Sequence, residues 1–123
     1  MMISLNYRDP RPVYEQIKEK LRNLILAGGL GEGEKLPAVR ELAGTLAINP
    51  NTIQRAYREL EAEGYIYTQL GKGSFVASLD QVGGDRKKQL LQTFTDTARE
   101  LLHLGFTPTE LSALLEENRR NEE

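Results

Sequence analysis

One short segment of the sequence combines amide, hydroxyl and guanidinium side chains on a single side of a predicted helix. At about 100° per residue, this side lies opposite the apolar positions Ile53 and Leu60. Its members, at the centre and on the flanks, are Asn51, Thr52, Gln54, Arg55 and Arg58. Asn and Gln amides pair with adenine edges, and Arg pairs with guanine or with phosphate. The segment therefore has the chemistry needed to contact bases and phosphates in a major groove of DNA.

The position of each side chain along this segment suggests its role, because the first turn of such a helix usually contacts the bases. We expect Asn51 and Gln54 to contact base edges, and Thr52 and Arg55 to contact phosphates or flanking bases. Arg58 is expected to contact the DNA backbone. The alternative is that these residues form an ordinary solvated helix face.

Two more cations lie where they could contact phosphate. Arg40 is on a preceding predicted helix, where its guanidinium could bind phosphate or pair internally with Glu41 or Glu59. Lys72 lies at a predicted hairpin tip beside Gly73, and a glycine backbone can approach DNA closely. Lys72 could equally be an ordinary solvated turn residue.

Three predicted helices position these groups. The first runs from Pro12 to residue 27, and the second covers residues 38–46. After a three-residue interruption, Asn49 can cap a third helix that begins at Pro50 and ends before Gly64. Two short helices joined by so tight a turn predict a helix-turn-helix.

A β-hairpin is predicted directly after the third helix. Residues 65–69 and 74–76 are rich in β-formers and flank a glycine-containing turn. Residues 30–37 show no periodic spacing of apolar residues and are predicted to be a loop. Apolar and polar residues alternate at positions 3–5, which is the pattern of a small additional strand. The predicted fold class is mainly α with a small β-hairpin wing, that is, a winged helix-turn-helix followed by a two-helix C-terminal element.

The C-terminal element is predicted to dimerise. A boundary near residue 80 divides a DNA-binding domain, residues 1–78, from a helical tail, residues 79–123. Apolar residues follow one face of each tail helix: Leu90, Leu91, Phe94, Ala98, Leu101 and Leu102 on the first, and Leu111, Leu114 and Leu115 on the second. We expect these faces to pair across a two-fold axis. The alternative is that they fold back onto the first helix.

Composition restricts the remaining possibilities. The 123 residues, 39% of them hydrophobic, suit one compact domain with an appendage. The absence of cysteine excludes disulfides and thiolate metal sites. The sequence contains no apolar stretch long enough to span a membrane, and its first residues do not resemble a signal peptide. We therefore expect a cytoplasmic protein with no membrane segment, metal or cofactor. The formal net charge of -2 resides in the tail, since residues 1–78 carry ten basic and nine acidic residues. The tail is too short to enclose a typical ligand cavity, so any effector would use the dimer interface.

Two other function classes fit the sequence less well. An enzyme is disfavoured because the single histidine, His103, has no fixed partner among the tail leucines, and the sequence around Lys72 departs from the phosphate-binding loop. A protein-interaction module is the second alternative, supported by the acidic pI near 5.5. Binding that weakens with salt would favour DNA over a protein partner.

Three ordered motifs resemble the DNA-binding domain of the GntR family. They are LPAVRELA at residues 36–43, NPNTIQRAYRELEAEG at residues 49–64 and GKGSFV at residues 71–76. The short tail and the opening PVYEQI at residues 12–17 resemble its YtrA-like subfamily. The resemblance implies a bacterial transcriptional regulator, usually a repressor, that binds a palindromic operator as a homodimer, often beside transporter genes.

By motif position, the resemblance assigns DNA contact to five residues: Arg40, Asn51, Thr52, Gln54 and Gly73. The sequence departs from the family pattern at Pro50 and Gln54. Many members have Arg where this chain has Pro50 and Gln54, so their base preferences do not transfer. A third departure is Ala38, which replaces a frequent Ser and removes a side-chain cap from the second helix.

Overall fold

The structure, a computed structural model, describes residues 3–121. Its elements in chain order are α1 Val13–Leu26, α2 Val39–Leu46, α3 Pro50–Glu63, β1 Ile66–Gln69, β2 Gly73–Val76, a short 3₁₀ turn Leu79–Gln81, α4 Gly84–His103 and α5 Pro108–Asn121. The predicted mainly α fold with a two-stranded wing is confirmed. The chain forms two compact units, the first ending at Gly83 and the second beginning at Gly84.

The tight connection between α2 and α3 has two local causes. Ala47 adopts a left-handed conformation, with φ 56° and ψ 47°, which turns the chain sharply after α2. The Asn49 side chain then accepts a hydrogen bond from the Asn51 N–H at 2.8 Å, and Pro50 occupies the first turn of α3. By contrast, Ala38 gives α2 no side-chain cap, as its substitution for Ser predicts.

The core of the first unit lies between α1, α2 and α3. The largest fully enclosed side chains of α1 and α3 are Ile17, Leu21, Ile53 and Leu60. The Tyr57 hydroxyl donates to the Pro37 carbonyl oxygen at 2.7 Å and so ties α3 to the start of α2. Burial raises the pKa of Tyr57, which keeps this hydroxyl protonated and able to donate.

The wing is larger than the sequence predicts. β1 and β2 pair antiparallel, and the rings of Tyr67 and Phe75 stack at 5.5 Å between centroids. On the other edge of β2, the Leu36 N–H donates to the Ser74 carbonyl at 2.8 Å, and the Val76 N–H donates to the Glu34 carbonyl at 2.9 Å. Part of the predicted loop 30–37 therefore pairs with the wing, which connects the wing to the segment that leads into α2.

The small strand predicted at residues 3–5 is absent, and that prediction is wrong. Ile3 and Leu5 instead lie partly buried against the core. The Gln16 side chain, which is only 3% exposed, accepts from the Asn6 N–H at 3.0 Å and donates to the Asn6 carbonyl at 3.1 Å. A side-chain amide thus binds the backbone of the residue that directly follows this segment.

An ion-pair cluster joins α1 to α3. Lys18 contacts Glu63 at 2.6 Å and Glu59 at 3.0 Å, and Arg22 contacts Glu63 at 2.9 Å. Burial alone would raise the pKa of Glu63, but hydrogen bonds from Lys18 and Arg22 outweigh it and hold the pKa below the ordinary 4.5. The ionised form of Glu63 therefore stabilises the fold.

This cluster predicts a pH dependence of stability. Because the folded-state pKa of Glu63 is lowered, its contribution is present above the unfolded-state pKa and is lost as pH falls through the folded-state pKa. We expect Glu63→Gln to lower the free energy of unfolding at pH 7 by about 1–3 kcal/mol and to flatten its decline below pH 4.5. Urea unfolding between pH 3 and pH 7 measures both effects. Glu32→Gln, at an exposed residue, is the control, and equal slopes for the two variants would contradict the prediction.

The second unit is a helical hairpin of α4 and α5. Thr107 and Glu110 form a reciprocal cap at the start of α5, each backbone N–H donating to the other side chain at 3.1 Å. Gly105, with φ 104°, turns the chain between the helices. Neither helix buries a side chain fully. Across residues 3–121, no helix is both long enough and apolar enough to cross a membrane.

Candidate nucleic-acid interface

The outer face of α3 presents unpaired polar groups. Asn51, Gln54 and Arg58 are exposed, whereas Ile53 and Leu60 on the opposite side are 0% exposed. The Asn49 cap engages only the backbone N–H of Asn51, so the Asn51 amide is left to solvent. The structure thus brings together three of the five predicted α3 residues on one rigid, capped helix.

The other two predicted α3 residues have different surroundings. Thr52 is half-buried. The Arg55 guanidinium lies 3.7 Å from the centroid of the Tyr14 ring, and its Nε donates to Glu59 at 3.3 Å. Arg55 therefore contacts two neighbouring side chains although its own side chain remains 56% exposed, and the helical periodicity alone did not indicate these contacts.

Arg40 on α2 is exposed. Neither of the internal carboxylates considered from the sequence binds it within the described part of the chain, since Glu59 pairs with Lys18 and Arg55 instead. Among residues 3–121, Arg40 forms no ion pair, and its guanidinium stays available to an external anion.

The wing tip presents one exposed cation, Lys72, in a tight turn closed by its own N–H to the Gln69 carbonyl at 3.0 Å. Gly73 adopts φ 115°, and a Cβ there would lie 2.8 Å from Cε of Lys35. The positive φ of Gly73 and the close approach of the Lys35 side chain thus explain why this position requires glycine, without any contact with DNA. Lys35 was missed from the sequence because it lies in a segment without periodicity.

A groove of about 350 Å³ separates the wing from the start of α2. Its lining comprises residues 35–39, Tyr57 and residues 68–74. Lys35 and Lys72 both line it, together with the hydroxyls of Thr68 and Ser74, which lie 3.3 Å apart. Two ammonium groups and two hydroxyls beside one concave surface suit an anion such as a phosphate.

The apolar tail residues lie on a second, separate surface. Along the hairpin, α4 and α5 border a groove of about 260 Å³. Of the predicted dimerisation residues, six line it: Phe94, Ala98, Leu101, Leu111, Leu114 and Leu115. Leu90, Leu91 and Leu102 are exposed on α4 outside this lining. Leu104 and Phe106, which the helical pattern did not single out, are exposed in the connection between α4 and α5.

No cluster that could hold a metal ion occurs in the part of the chain that the structure describes.

Residues 13–76 match the sequence model of a known family, described as bacterial regulatory proteins, gntR family. The protein belongs to the GntR family. This match covers α1 through β2, the same elements that carry the polar face and the wing.

Individual relatives agree with this GntR assignment. The HTH-type transcriptional repressor YtrA of Bacillus subtilis is 46% identical over 76 residues, which is 62% of this chain and 58% of that protein. The crystal structure of a transcriptional antiterminator from Listeria monocytogenes EGD-e superposes with a TM-score of 0.81 at 32% identity, over 99% of this chain and 92% of that one. The first relative is named a transcriptional repressor and the second a transcriptional antiterminator. With the family match, they support a regulatory protein of the GntR family.

The structure of the DNA-binding domain of AraR in complex with operator ORE1 is also similar. It has a TM-score of 0.54 at 30% identity and covers 63% of this chain and 94% of that one. A domain similar to this part of the chain thus binds operator DNA in AraR.

Proposed function

We propose that this GntR-family protein represses transcription in the cytoplasm by binding a palindromic operator as a homodimer. The observation that carries the proposal is the exposed face of α3, where Asn51, Gln54 and Arg58 stand without internal partners among the described residues. Burying polar groups without partners is costly, whereas offering them on a rigid convex helix suits the edges of bases in a major groove. The repressor role is supported by the name of the YtrA relative.

The proposed contacts follow from the position of each group. Asn51 and Gln54 contact base edges, since both amides are exposed within the first two turns of α3. Thr52, at the flank, contacts a phosphate or a flanking base. Arg58 and Arg40 contact the DNA backbone, because both are exposed and lie on the two helices of the helix-turn-helix.

The wing groove supplies a second phosphate contact. Lys35 and Lys72 line it together, and Gly73 lets the Lys35 side chain cross the wing. An ammonium group binds phosphate without discriminating between bases. We therefore assign affinity to the wing lysines and base preference to α3.

The homodimer is proposed for reasons of specificity and packing. One short helix contacts only a few base pairs, each worth about 1–3 kcal/mol, which is too little for one subunit to find one genomic site. Phe94, Leu114 and Leu115 around the tail groove are each half-exposed, at 54%, 50% and 52%. The tail of a second copy would cover these side chains, and a two-fold axis would then place the two α3 helices on an inverted repeat.

Selection of bound sequences from random duplex DNA by the purified protein tests this function. We expect enrichment of an inverted repeat whose half-sites are separated by about one helical turn. Enrichment of a single half-site would contradict the homodimer, and absence of any enriched sequence would contradict specific DNA binding.

Two substitutions should separate base contact from phosphate contact. Gln54→Ala is expected to relax base preference at one position of each half-site, at a cost of about 1–3 kcal/mol. Lys72→Ala is expected to weaken binding to all sequences alike and to reduce the slope of log affinity against log salt by about 0.9 for each phosphate that is no longer neutralised. Fluorescence anisotropy over a salt series, with selected and scrambled duplexes, measures both. The reverse pattern would show that our assignment of α3 and the wing is wrong.

A further inference from the structure

We propose that Tyr14 and Arg55 form an intramolecular clamp that fixes the rotation of α3 about its own axis, so that Arg55 is a positioning residue and does not bind DNA itself. The inference rests on the proposed base-contacting role of α3. It changes the expected role of Arg55, for which the sequence predicted contact with phosphates or flanking bases.

The clamp is a chain of four side chains across the α1–α3 contact. Tyr14 and Lys18 lie one turn apart on α1, and Arg55 and Glu59 lie one turn apart on α3. The Arg55 guanidinium covers the Tyr14 ring at 3.7 Å, and Lys18 reaches Glu59 at 3.0 Å. The Arg55 to Glu59 contact at 3.3 Å, within α3, connects these two contacts between the helices.

Each contact in the chain is directional. A guanidinium over an aromatic face and a charge-assisted hydrogen bond both weaken when either partner moves sideways. The apolar side chains of the core, such as Ile17 and Ala56, pack without directional bonds. The four polar side chains therefore add a directional restraint on rotation to the packing of the core.

Rotation matters because base contacts lie far from the helix axis. A side-chain end about 6 Å from the axis moves by about 2 Å when the helix turns by about 20°. A shift of that size breaks a hydrogen bond, whose usual donor-to-acceptor range is about 2.7–3.2 Å. Loosening the clamp should accordingly reduce discrimination between sequences more than it reduces attraction to the DNA backbone.

Four variants test the clamp on a selected operator and a scrambled duplex over a salt series. Tyr14→Leu and Arg55→Ala are each expected to lower the ratio of specific to non-specific affinity about tenfold, and their double variant to lower it no further. The salt slope should stay unchanged in all three. Tyr14→Phe, which keeps the ring and removes only the hydroxyl that contacts Glu15, should retain wild-type selectivity.

The opposite outcome is equally definite. If Arg55 binds phosphate, Arg55→Ala will reduce the salt slope by about 0.9 per half-site and Tyr14→Leu will leave binding unchanged. That result would overturn the clamp.

A second measurement separates failure of the clamp from failure of the proposed function. The thermal midpoints of the wild type, the two single variants and the double variant form a cycle that needs no DNA. Non-additive midpoints are expected, and additive midpoints would overturn the clamp. If the wild type shows no sequence preference while the midpoints are non-additive, the proposed function fails and the Tyr14 to Arg55 contact stands.

Discussion

Gly64→Ala is expected to lower the free energy of unfolding by about 3 kcal/mol or more, combining left-handed strain with displaced backbone. Gly64 ends α3 with φ 93°, a conformation unfavourable for any residue with a Cβ. A Cβ there would lie 2.1 Å from the Gln81 carbonyl oxygen and 2.9 Å from Cα of Val82. Because both are backbone atoms, the segment itself must move, and the hydrogen bond from the Gly83 N–H to the Glu63 carbonyl at 3.0 Å is put at risk.

Two other glycines provide matched controls for this effect. Gly28 has φ 83°, and a Cβ added there would meet nothing within 4 Å, so Gly28→Ala should cost only the conformational strain, about 1–2 kcal/mol. Gly44 lies inside α2 with open space around it, and Gly44→Ala should stabilise the protein by up to about 1 kcal/mol. Urea unfolding ranks the three variants. A Gly64→Ala variant as stable as Gly28→Ala would show that the backbone of residues 81–83 can move aside without lowering the free energy of unfolding.

Gly64 also illustrates what the sequence can and cannot predict. Its place after a run of helix-forming residues predicts the end of α3, just as Asn49 and Pro50 predict the start. All of these are local signals, in which residues a few positions apart satisfy the backbone groups of one helix end. The close approach of Gln81 is not local, and no pattern around Gly64 reports it.

The missed features of the first unit share this non-local origin. The loop 30–37 contains a wing-pairing segment because β2, about 40 residues later, offers it backbone partners. Gln16 is polar yet buried because the backbone of Asn6 lies against it. Alternation at residues 3–5 predicted a strand, but a strand needs a neighbouring strand, and Ile3 and Leu5 instead pack against the core. Propensity indicates what a segment can form, and tertiary contacts decide what it does form.

The same distinction applies to the candidate interface. Helical periodicity correctly separates the buried stripe of α3 from the outer face that carries Asn51, Gln54 and Arg58. Periodicity treats the two flanks of that face as equivalent, because a helical wheel carries no information about which other elements pack beside the helix. In the structure α1 lies along one flank, and Tyr14 engages Arg55 there. Lys35 adds a cation from a segment that the wheel of α3 does not include.

A charged tail variant is expected to change function most. Phe94→Glu combined with Leu114→Glu places two carboxylates in the groove between α4 and α5, where the wild-type side chains are about half-exposed, at 54% and 50%. If a second copy covers this groove, the charges cannot be buried and the dimer dissociates to the 13.9 kDa chain. Without the second half-site, operator binding should then weaken by about 10²–10⁴-fold, because the two DNA contacts no longer act at high effective concentration.

The control carries the same charge on the polar sides of the two helices. Gln89→Glu with Ala113→Glu alters exposed positions outside the groove, so the dimer mass and the operator affinity should both persist. Light scattering measures the mass, circular dichroism verifies that helix content is kept, and anisotropy compares a full operator with a single half-site. Affinity for the single half-site should be the same in both double variants, since the α3 face is intact. A dimer that survives Phe94→Glu with Leu114→Glu would show that the tail groove is not the interface. A monomer that keeps full operator affinity would show that pairing is not what gives this protein its specificity.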